Sequence, residues 1–250
     1  SMSIKYERRI SYVLSTRNRA DFLKEALSRF EHIKQDNDEL IIVDGGSTDN
    51  TDKIVDNFAQ IVDIYISEPD KNGEEAYNKG YLIARGKYIK QLTDDDYYFA
   101  DGLKKAYSVM EENPEVDMII CGGIRKENNK ETLIYVPPGA NYGSSVDEIF
   151  INGYTTSGMG TFFRRSMLPL VGLSEVDRPF PDMGFILRSI YIGANVKFCR
   201  INMFLHPLRK DSITIETKDE YVTEYKLLLN RYCSKEFKKK YFIKNLFWYK

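Results

Sequence analysis

Lys87-Tyr88-Ile89-Lys90-Gln91-Leu92-Thr93-Asp94-Asp95-Asp96-Tyr97-Tyr98-Phe99-Ala100-Asp101 changes character midway, and that change decides how the rest of the chain is read. Tyr88, Ile89 and Leu92 supply the β-branched and aromatic content of a strand. The strand delivers Asp94, Asp95 and Asp96 together at its C-terminal end. Three adjacent carboxylates repel one another, and a folded chain keeps them close only where something offsets the repulsion. A hard divalent cation, Mn2+ or Mg2+, does so through oxygen ligands and takes further ligands from water and a substrate phosphate. The competing explanation is a solvated acidic loop whose last members cap a helix near Ala100–Glu112.

Upstream of this stretch, strand and helix alternate. Ile10 to Leu14 is a short apolar run, followed by polar Ser15-Thr16-Arg17-Asn18-Arg19 and a helical pattern through Phe22, Leu23, Ala26, Leu27 and Phe30. Leu40-Ile41-Ile42-Val43 is a continuous apolar run of the kind buried on both faces of a parallel sheet. It ends in Asp44-Gly45-Gly46-Ser47-Thr48-Asp49, where glycines permit a tight turn and Ser47 or Asp49 can cap the helix near Thr51 to Phe58. Val62 to Ile66 predicts a third strand. Ser67-Glu68-Pro69-Asp70-Lys71-Asn72-Gly73 then leads into a helix that runs through Ala84 and stops at Gly86. This alternation predicts an α/β fold with a mostly parallel, Rossmann-like twisted sheet flanked by helices. Ligands of such sheets collect beyond the C-terminal strand ends, where Ser15–Arg19, Asp44–Asp49, Glu68–Gly73 and Asp94–Asp96 all fall.

Composition narrows the class. The chain has 250 residues, 42% hydrophobic, with a net charge of −1, which suits a large globular domain and argues against a nucleic-acid binder with uniform positive excess. Cys121, Cys199 and Cys233 lack metal-ligand spacing and read as reduced thiols of a cytoplasmic protein. No apolar run reaches the ~18–20 residues of a membrane span, and no signal peptide is apparent. Ser1-Met2-Ser3 is set aside as an expression remnant.

With these segments in place, the chain resembles the family 2 glycosyltransferases of the GT-A fold. The resemblance rests on Asp44-Gly45-Gly46-Ser47-Thr48-Asp49, on Ser67 to Lys71 with Asn78-Lys79-Gly80 behind it, and on Thr93-Asp94-Asp95-Asp96. It covers roughly residues 8 to 125 and extends more loosely to about residue 215. It implies inverting transfer of a sugar from a nucleotide-sugar donor, UDP-linked as first choice, with Mn2+ or Mg2+ holding the diphosphate. Ser15, Thr16, Arg17, Asp44 and Gly45 match positions that hold the nucleoside. Asp70, Lys71, Asn78 and Asp94 fall on the donor side, and the Asp-x-Asp segment is Thr93 to Asp95 or Asp94 to Asp96. Asp95 lies near the metal in both registers, with Asp96 beside it. Two bland readings stand alongside: Asp44 as a turn-forming residue and Lys71 as a solvated loop lysine.

The second half is less regular. Val116 to Cys121 predicts a fifth strand running past Gly122-Gly123, with Thr132 to Val136 as a hairpin partner before Pro137-Pro138. Gly153 to Gly160 is a small-residue loop suited to contact with the sugar or to plain connection. Asp182 opens a helix after Phe180-Pro181. The resemblance makes it the base that deprotonates the acceptor hydroxyl, although Pro181 stands where a Glu commonly precedes it. Asp182 as a simple helix cap is the alternative. His206, after Ile201 to Leu205, is a candidate third metal ligand, and Arg209 with Lys210 a candidate diphosphate contact on a lid. The expected layout is residues 4–125 for the nucleotide-sugar half, 126–215 for the acceptor and base half, and 216–250 for a basic-aromatic helical tail.

In that tail, lysines alternate with Phe237, Tyr241, Phe242, Phe247, Trp248 and Tyr249. Residues 235–250 suit a helix on an anionic membrane surface, at the inner face where polyprenyl-linked glycan acceptors reside, or one packed on the domain or on a second copy as a homodimer. Two rivals remain: a metal-dependent nucleotidyltransferase, which would want a glycine-rich loop where Ser15–Arg19 has none, and a catalytically idle nucleotide-sugar-binding homologue.

Overall fold

The structure is a computed structural model and describes residues 7–134, 145–152, 158–208 and 218–240. Four strands, β1 (Arg8–Thr16), β2 (Glu39–Asp44), β3 (Ile64–Ser67) and β4 (Gly86–Thr93), pair in parallel in the order β3-β2-β1-β4. The helices α1 (Ala20–Phe30), α2 (Thr51–Asn57) and α3 (Gly73–Ile83) connect them. All six residues of β2 are buried, because both sheet faces are covered and neither side can be polar. Tyr12, Leu14, Leu40, Ile42, Tyr88 and Leu92 face α1 and α4 (Ala100–Glu112), whereas Val13, Ile41, Val43 and Ile89 belong to the core shared with α3.

Beyond β4 the parallel rule ends and the sheet becomes mixed. The strand β6 (Met118–Glu127) pairs antiparallel with β7 (Lys130–Ile134) and β8 (Thr161–Arg164), and parallel with β9 (Val196–Pro207). β8 in turn lies antiparallel to β4. Just after the acidic stretch, the two-residue strand β5 (Tyr97–Tyr98) pairs with Phe204 and Leu205 of β9, the far strand of the sheet. The sheet therefore curls until its last strand meets the end of β4.

The helices α5 (Val146–Asn152), α6 (Leu168–Val171), α7 (Pro181–Ile192) and α8 (Lys218–Tyr232) complete the described elements. Leu228, Leu229 and Tyr232 of α8 are buried in the same core as Ile186 of α7. Residues 235–240 are helical, and Phe237 packs on that core, 6.5 Å from the Phe150 ring. This part of the tail takes the packed alternative. Residues 241–250, Pro137-Pro138, residues 153–157, Arg209 and Lys210 lie outside the described residues.

Gly102 shows how closely α4 sits on β9. A Cβ there would stand 2.2 Å from the Asn202 carbonyl oxygen and 2.9 Å from Met203 Cα. Alanine improves helix propensity by about 1 kcal/mol, but overpacking against backbone costs about 1–3 kcal/mol or more. Gly102→Ala should therefore lower the chemical denaturation midpoint despite the better propensity, and a raised midpoint would show that α4 slides freely off β9.

Candidate active site

The C-terminal ends of the parallel strands stand level: Thr16 is in register with Asp44, Asp44 with Ser67, and Ser15 with Thr93. The loops that follow are laced together. Asn18, in the left-handed region at φ 51°, donates its backbone N–H to Ser47 Oγ (2.7 Å) and accepts the Thr48 N–H on Oδ1 (2.8 Å). Asp49 accepts the Ala20 N–H (3.0 Å) and, at the start of α2, the Thr51 N–H and hydroxyl. Gly46 adopts φ +77°, which allows the tight turn predicted after β2.

Asp44 is buried, and its carboxylate accepts from the Ser47 N–H and hydroxyl, the Tyr65 hydroxyl (3.1 Å) and the Ser67 hydroxyl (2.6 Å). In the protein alone it is the turn-forming residue of the bland reading. A nucleoside contact requires one of these partners to be exchanged. Asp70 lies over Gly45, whose Cβ would stand 2.6 Å from Asp70 Oδ2. Burial raises the Asp70 pKa, with Lys79 and then Arg17 opposing it. Arg17 is exposed, and the Ser15 hydroxyl would lie 3.3 Å from a Cβ on Gly73, at the start of α3.

The three acids are held by protein groups. The Thr16 hydroxyl donates to Asp94 Oδ2 (2.9 Å), and the Arg19 Nε stands 3.0 Å from Asp94 Oδ1, off the line of a good hydrogen bond. Arg19 Nη2 donates to Asp95 Oδ2 (2.8 Å), and its guanidinium lies 4.4 Å over the Phe22 ring. Asp96 is almost fully buried, accepting the Thr93 hydroxyl on one oxygen and meeting His206 Nδ1 at 2.7 Å on the other. Asp94 is buried too, so Asp95 presents the most accessible carboxylate. Beneath them Lys90 is fully buried, its ammonium donating to the carbonyls of Gln91 (2.5 Å) and Met159 (2.9 Å), and burial lowers its pKa to about 7.

Two of the expected site residues are engaged by protein groups in this structure. The His206 ring bonds Asp96, and among the described residues no three His, Cys, Asp or Glu side chains form a ligand set. The oxygen-rich donors still fit a cation that leans on substrate phosphates, since such ions need only one or two protein carboxylates. The Asn78 amide accepts the Ser174 N–H (3.0 Å) and donates to the Ser174 carbonyl (2.8 Å). Lys71 is paired with Asp177, and the Asn72 side chain donates to the Val176 carbonyl (2.6 Å). Together these fasten the chain around Ser174–Asp177 onto the start of α3.

Asp182 is the second residue of α7 and does not occupy the capping position, which falls to Phe180. Its carboxylate accepts the N–H of Gly158 (2.9 Å) and of Met183 (2.8 Å), and burial raises its pKa. A Cβ on Gly158 would meet Asp182 Cβ at 3.2 Å and the Gln91 amide at 3.3 Å, so β4 carries both the acidic group at its end and the neighbour of Asp182. Sequence reading passed over Arg19 and Lys90. The need for a cation beside three acids was a signal for Arg19; a lysine inside a strand pattern gave none for Lys90.

The family model described as Glycosyl transferase family 2 matches residues 11–170. The glycosyltransferase GlyG of Streptococcus pneumoniae is 25% identical over 220 residues, covering 82% of this chain and 72% of that protein. S. aureus TarS 1-349, solved with UDP-GlcNAc, superposes with a TM-score of 0.66 at 18% identity, over 85% of this chain and 63% of that one. The mannosyltransferase PcManGT of Pyrobaculum calidifontis, solved with GDP-Man and Mn2+, gives 0.67 at 17% identity, over 90% and 64%. The chain thus spans just under two thirds of these solved chains, and the likeness shows a GT-A fold.

Asp94 generates a pH signature. Burial raises its carboxyl from an ordinary 3.8 to about 6, so the fold favours the protonated form. That contribution is complete below about pH 4, is lost as pH rises through about 6, and amounts to about 3 kcal/mol. In EDTA, Asp94→Asn should be more stable than wild type above pH 6 and match it near pH 4. Denaturant unfolding at both pH values checks this; equal stability at high pH would refute the burial argument.

Proposed function

The chain belongs to glycosyl transferase family 2, and on that premise we propose that it moves one sugar, with inversion, from a nucleotide-diphosphate sugar to a hydroxyl of a glycan or polyprenyl-linked glycan. A UDP-linked hexose or N-acetylhexosamine is the first donor to test, in the setting of surface polysaccharide synthesis. The observation that supports the reading most directly is the arrangement on β4. Its end bears Asp94, Asp95 and Asp96, and Gln91, two residues before Thr93, lies in the wall against Gly158 and Asp182.

Each role follows from local chemistry. Asp95 would hold Mn2+ or Mg2+ with Asp96 and His206 beside it, and the ion would neutralise charge on the departing diphosphate. Arg19 stands next to Asp94 and Asp95 as a cation for an incoming diphosphate to meet. Ser15, Thr16, Arg17, Asp44, Gly45 and Asp70 border the nucleoside side, with Asp44 exchanging an internal partner for the ligand. Asp182 takes the acceptor hydroxyl proton, and burial makes it a stronger base than an exposed carboxylate. Activity should fall as pH drops through its raised pKa. Arg209, which lies outside the described residues, is kept as a diphosphate contact on sequence grounds.

Calorimetric titration of UDP, GDP, CMP and dTDP, each with Mn2+ and with EDTA, tests the donor half. Metal-dependent binding of one nucleotide is expected, and Asp95→Asn should abolish it. Asp182→Asn should keep that binding and lose transfer by at least ~100-fold. Normal turnover in Asp182→Asn would remove it as the base, and no nucleotide binding by folded protein would favour an idle homologue.

Among the described residues no helix is long and apolar enough to cross a membrane. Residues 241–250, with Tyr241, Phe242, Phe247, Trp248, Tyr249 and two lysines, would give peripheral contact with an anionic leaflet, where lipid-linked acceptors lie. Removing them should weaken sedimentation with anionic liposomes. Unchanged sedimentation with loss of self-association would assign them to a second copy.

A further inference from the structure

Two consecutive residues of β4 grip one turn from opposite faces of the sheet. Lys90 lies between Tyr88 and Leu92 in the alternation of the strand, and so faces the core that these two share with α4. It is fully buried there. Its ammonium donates to the Met159 carbonyl (2.9 Å), in the 3-10 turn Gly158–Gly160, and to the Gln91 carbonyl (2.5 Å). The same ammonium lies 5.0 Å from the centre of the Tyr98 ring. On the other face, Gln91 Oε1 accepts the Tyr81 hydroxyl (3.0 Å), and the Gln91 amide borders Gly158. The Gly158 N–H donates to Asp182 (2.9 Å), and the Gly158 carbonyl accepts the Thr161 hydroxyl (2.7 Å). Behind the turn, a Cβ on Gly160 would stand 2.2 Å from the Cys121 carbonyl oxygen.

We propose that Lys90 is a positioning residue for Asp182, acting through the turn Gly158–Gly160 that it holds by the Met159 carbonyl. The inference rests on Asp182 acting as the base. A buried ammonium is costly unless its donors are satisfied, and an apolar side chain would fill this place between Tyr88 and Leu92 at lower cost. What the lysine adds is a hydrogen bond to the turn. The carbonyl it takes is one residue from the N–H that Asp182 takes, so the two bonds fix the turn from both sides. A turn free to rotate would carry the Gly158 N–H away from Asp182 and release the carboxylate to other rotamers. Misplacing a reacting group by 1 Å can cost about 100-fold in rate. Burial lowers the Lys90 pKa to about 7, yet a neutral amine keeps two N–H groups, enough for both carbonyls, so the brace does not depend on the charge. Lys90 is closed off from solvent, and it makes and breaks no bond in transfer.

The Gly158 amide proton of the full chain, labelled with nitrogen-15 glycine, reads this contact directly. In wild type its signal should lie downfield, as an amide bound to a carboxylate does, and Asp182→Asn should move it upfield. Lys90→Met, which keeps the length of the side chain and removes its donors, should also move the Gly158 signal upfield. With UDP-N-acetylglucosamine and Mn2+ as the probe and water in place of the acceptor, kcat for hydrolysis in Lys90→Met should fall at least ~10-fold with KM unchanged. A lysine that only supports the fold would lower the denaturation midpoint and leave both readouts in place. Either an unmoved Gly158 signal or an undiminished kcat in folded Lys90→Met overturns the proposal. If Lys90→Met does not fold, Lys90→Gln, uncharged and one atom shorter, is judged by the same outcomes. An unmoved Gly158 signal with turnover lost in Asp182→Asn would sink only this inference. A moved signal with normal turnover in Asp182→Asn would sink the base assignment and the role of Lys90 with it.

Discussion

Holding three consecutive carboxylates together is the constraint on which the rest of this structure depends. Each is offset from a different direction: Asp94 by Thr16 of β1 and by Arg19, Asp95 by Arg19, and Asp96 by Thr93 and by His206 of β9. The first loop, the start of α1 and the last strand must all arrive at the end of β4 for the group to exist. The curl of the sheet and the pairing of β5 with β9 serve that meeting. The balance is incomplete. Asp94 stays raised to about 6, and Lys90 lies buried beneath with carbonyls as its hydrogen-bond partners. The proposed diphosphate and its cation would complete that balance.

How legible each part was depends on whether its cause is local. Leu40–Val43 announces a buried parallel strand because both faces are apolar, Ile10–Leu14 and Lys87–Thr93 announce strands by their β-branched and aromatic content, and short connections leave few alternatives to right-handed crossovers. The acidic stretch and the Asp-Gly-Gly turn were legible for the same reason. The mixed half was legible only in part: β6 and its hairpin partner β7 stand where Val116–Cys121 and Thr132–Val136 were expected, but β8 and β5 had no such signal. β8 has four residues and β5 two, and what makes them strands is a partner far along the chain. Asn78 has a non-local partner that its motif does not announce: Ser174, 96 residues away, bonds its amide.

The surroundings of Asp182 are organised around α3 as much as around α7. Lys71, Asn72 and Asn78 clasp the segment near Ser174–Asp177, and Arg188 and Arg231 gather on Glu175 from the other side. A chain segment fastened at both ends has little freedom to slide, so Asp182 enters its helix at a fixed place relative to β4. Precision at the proposed base therefore comes from hydrogen bonds several residues away from it.

The bond between Asp96 and His206 spans 110 residues. A polypeptide emerging from the ribosome can complete β1 to β4 early, yet Asp96 lacks its His206 partner until β9 has been synthesised and seated. Completion of the acidic group is thus a late, non-local event in the maturation of the chain, and an interrupted translation product would carry most of the fold without that brace. Synthesis itself acts as a checkpoint, withholding the final brace of the acidic group until nearly the whole sheet exists.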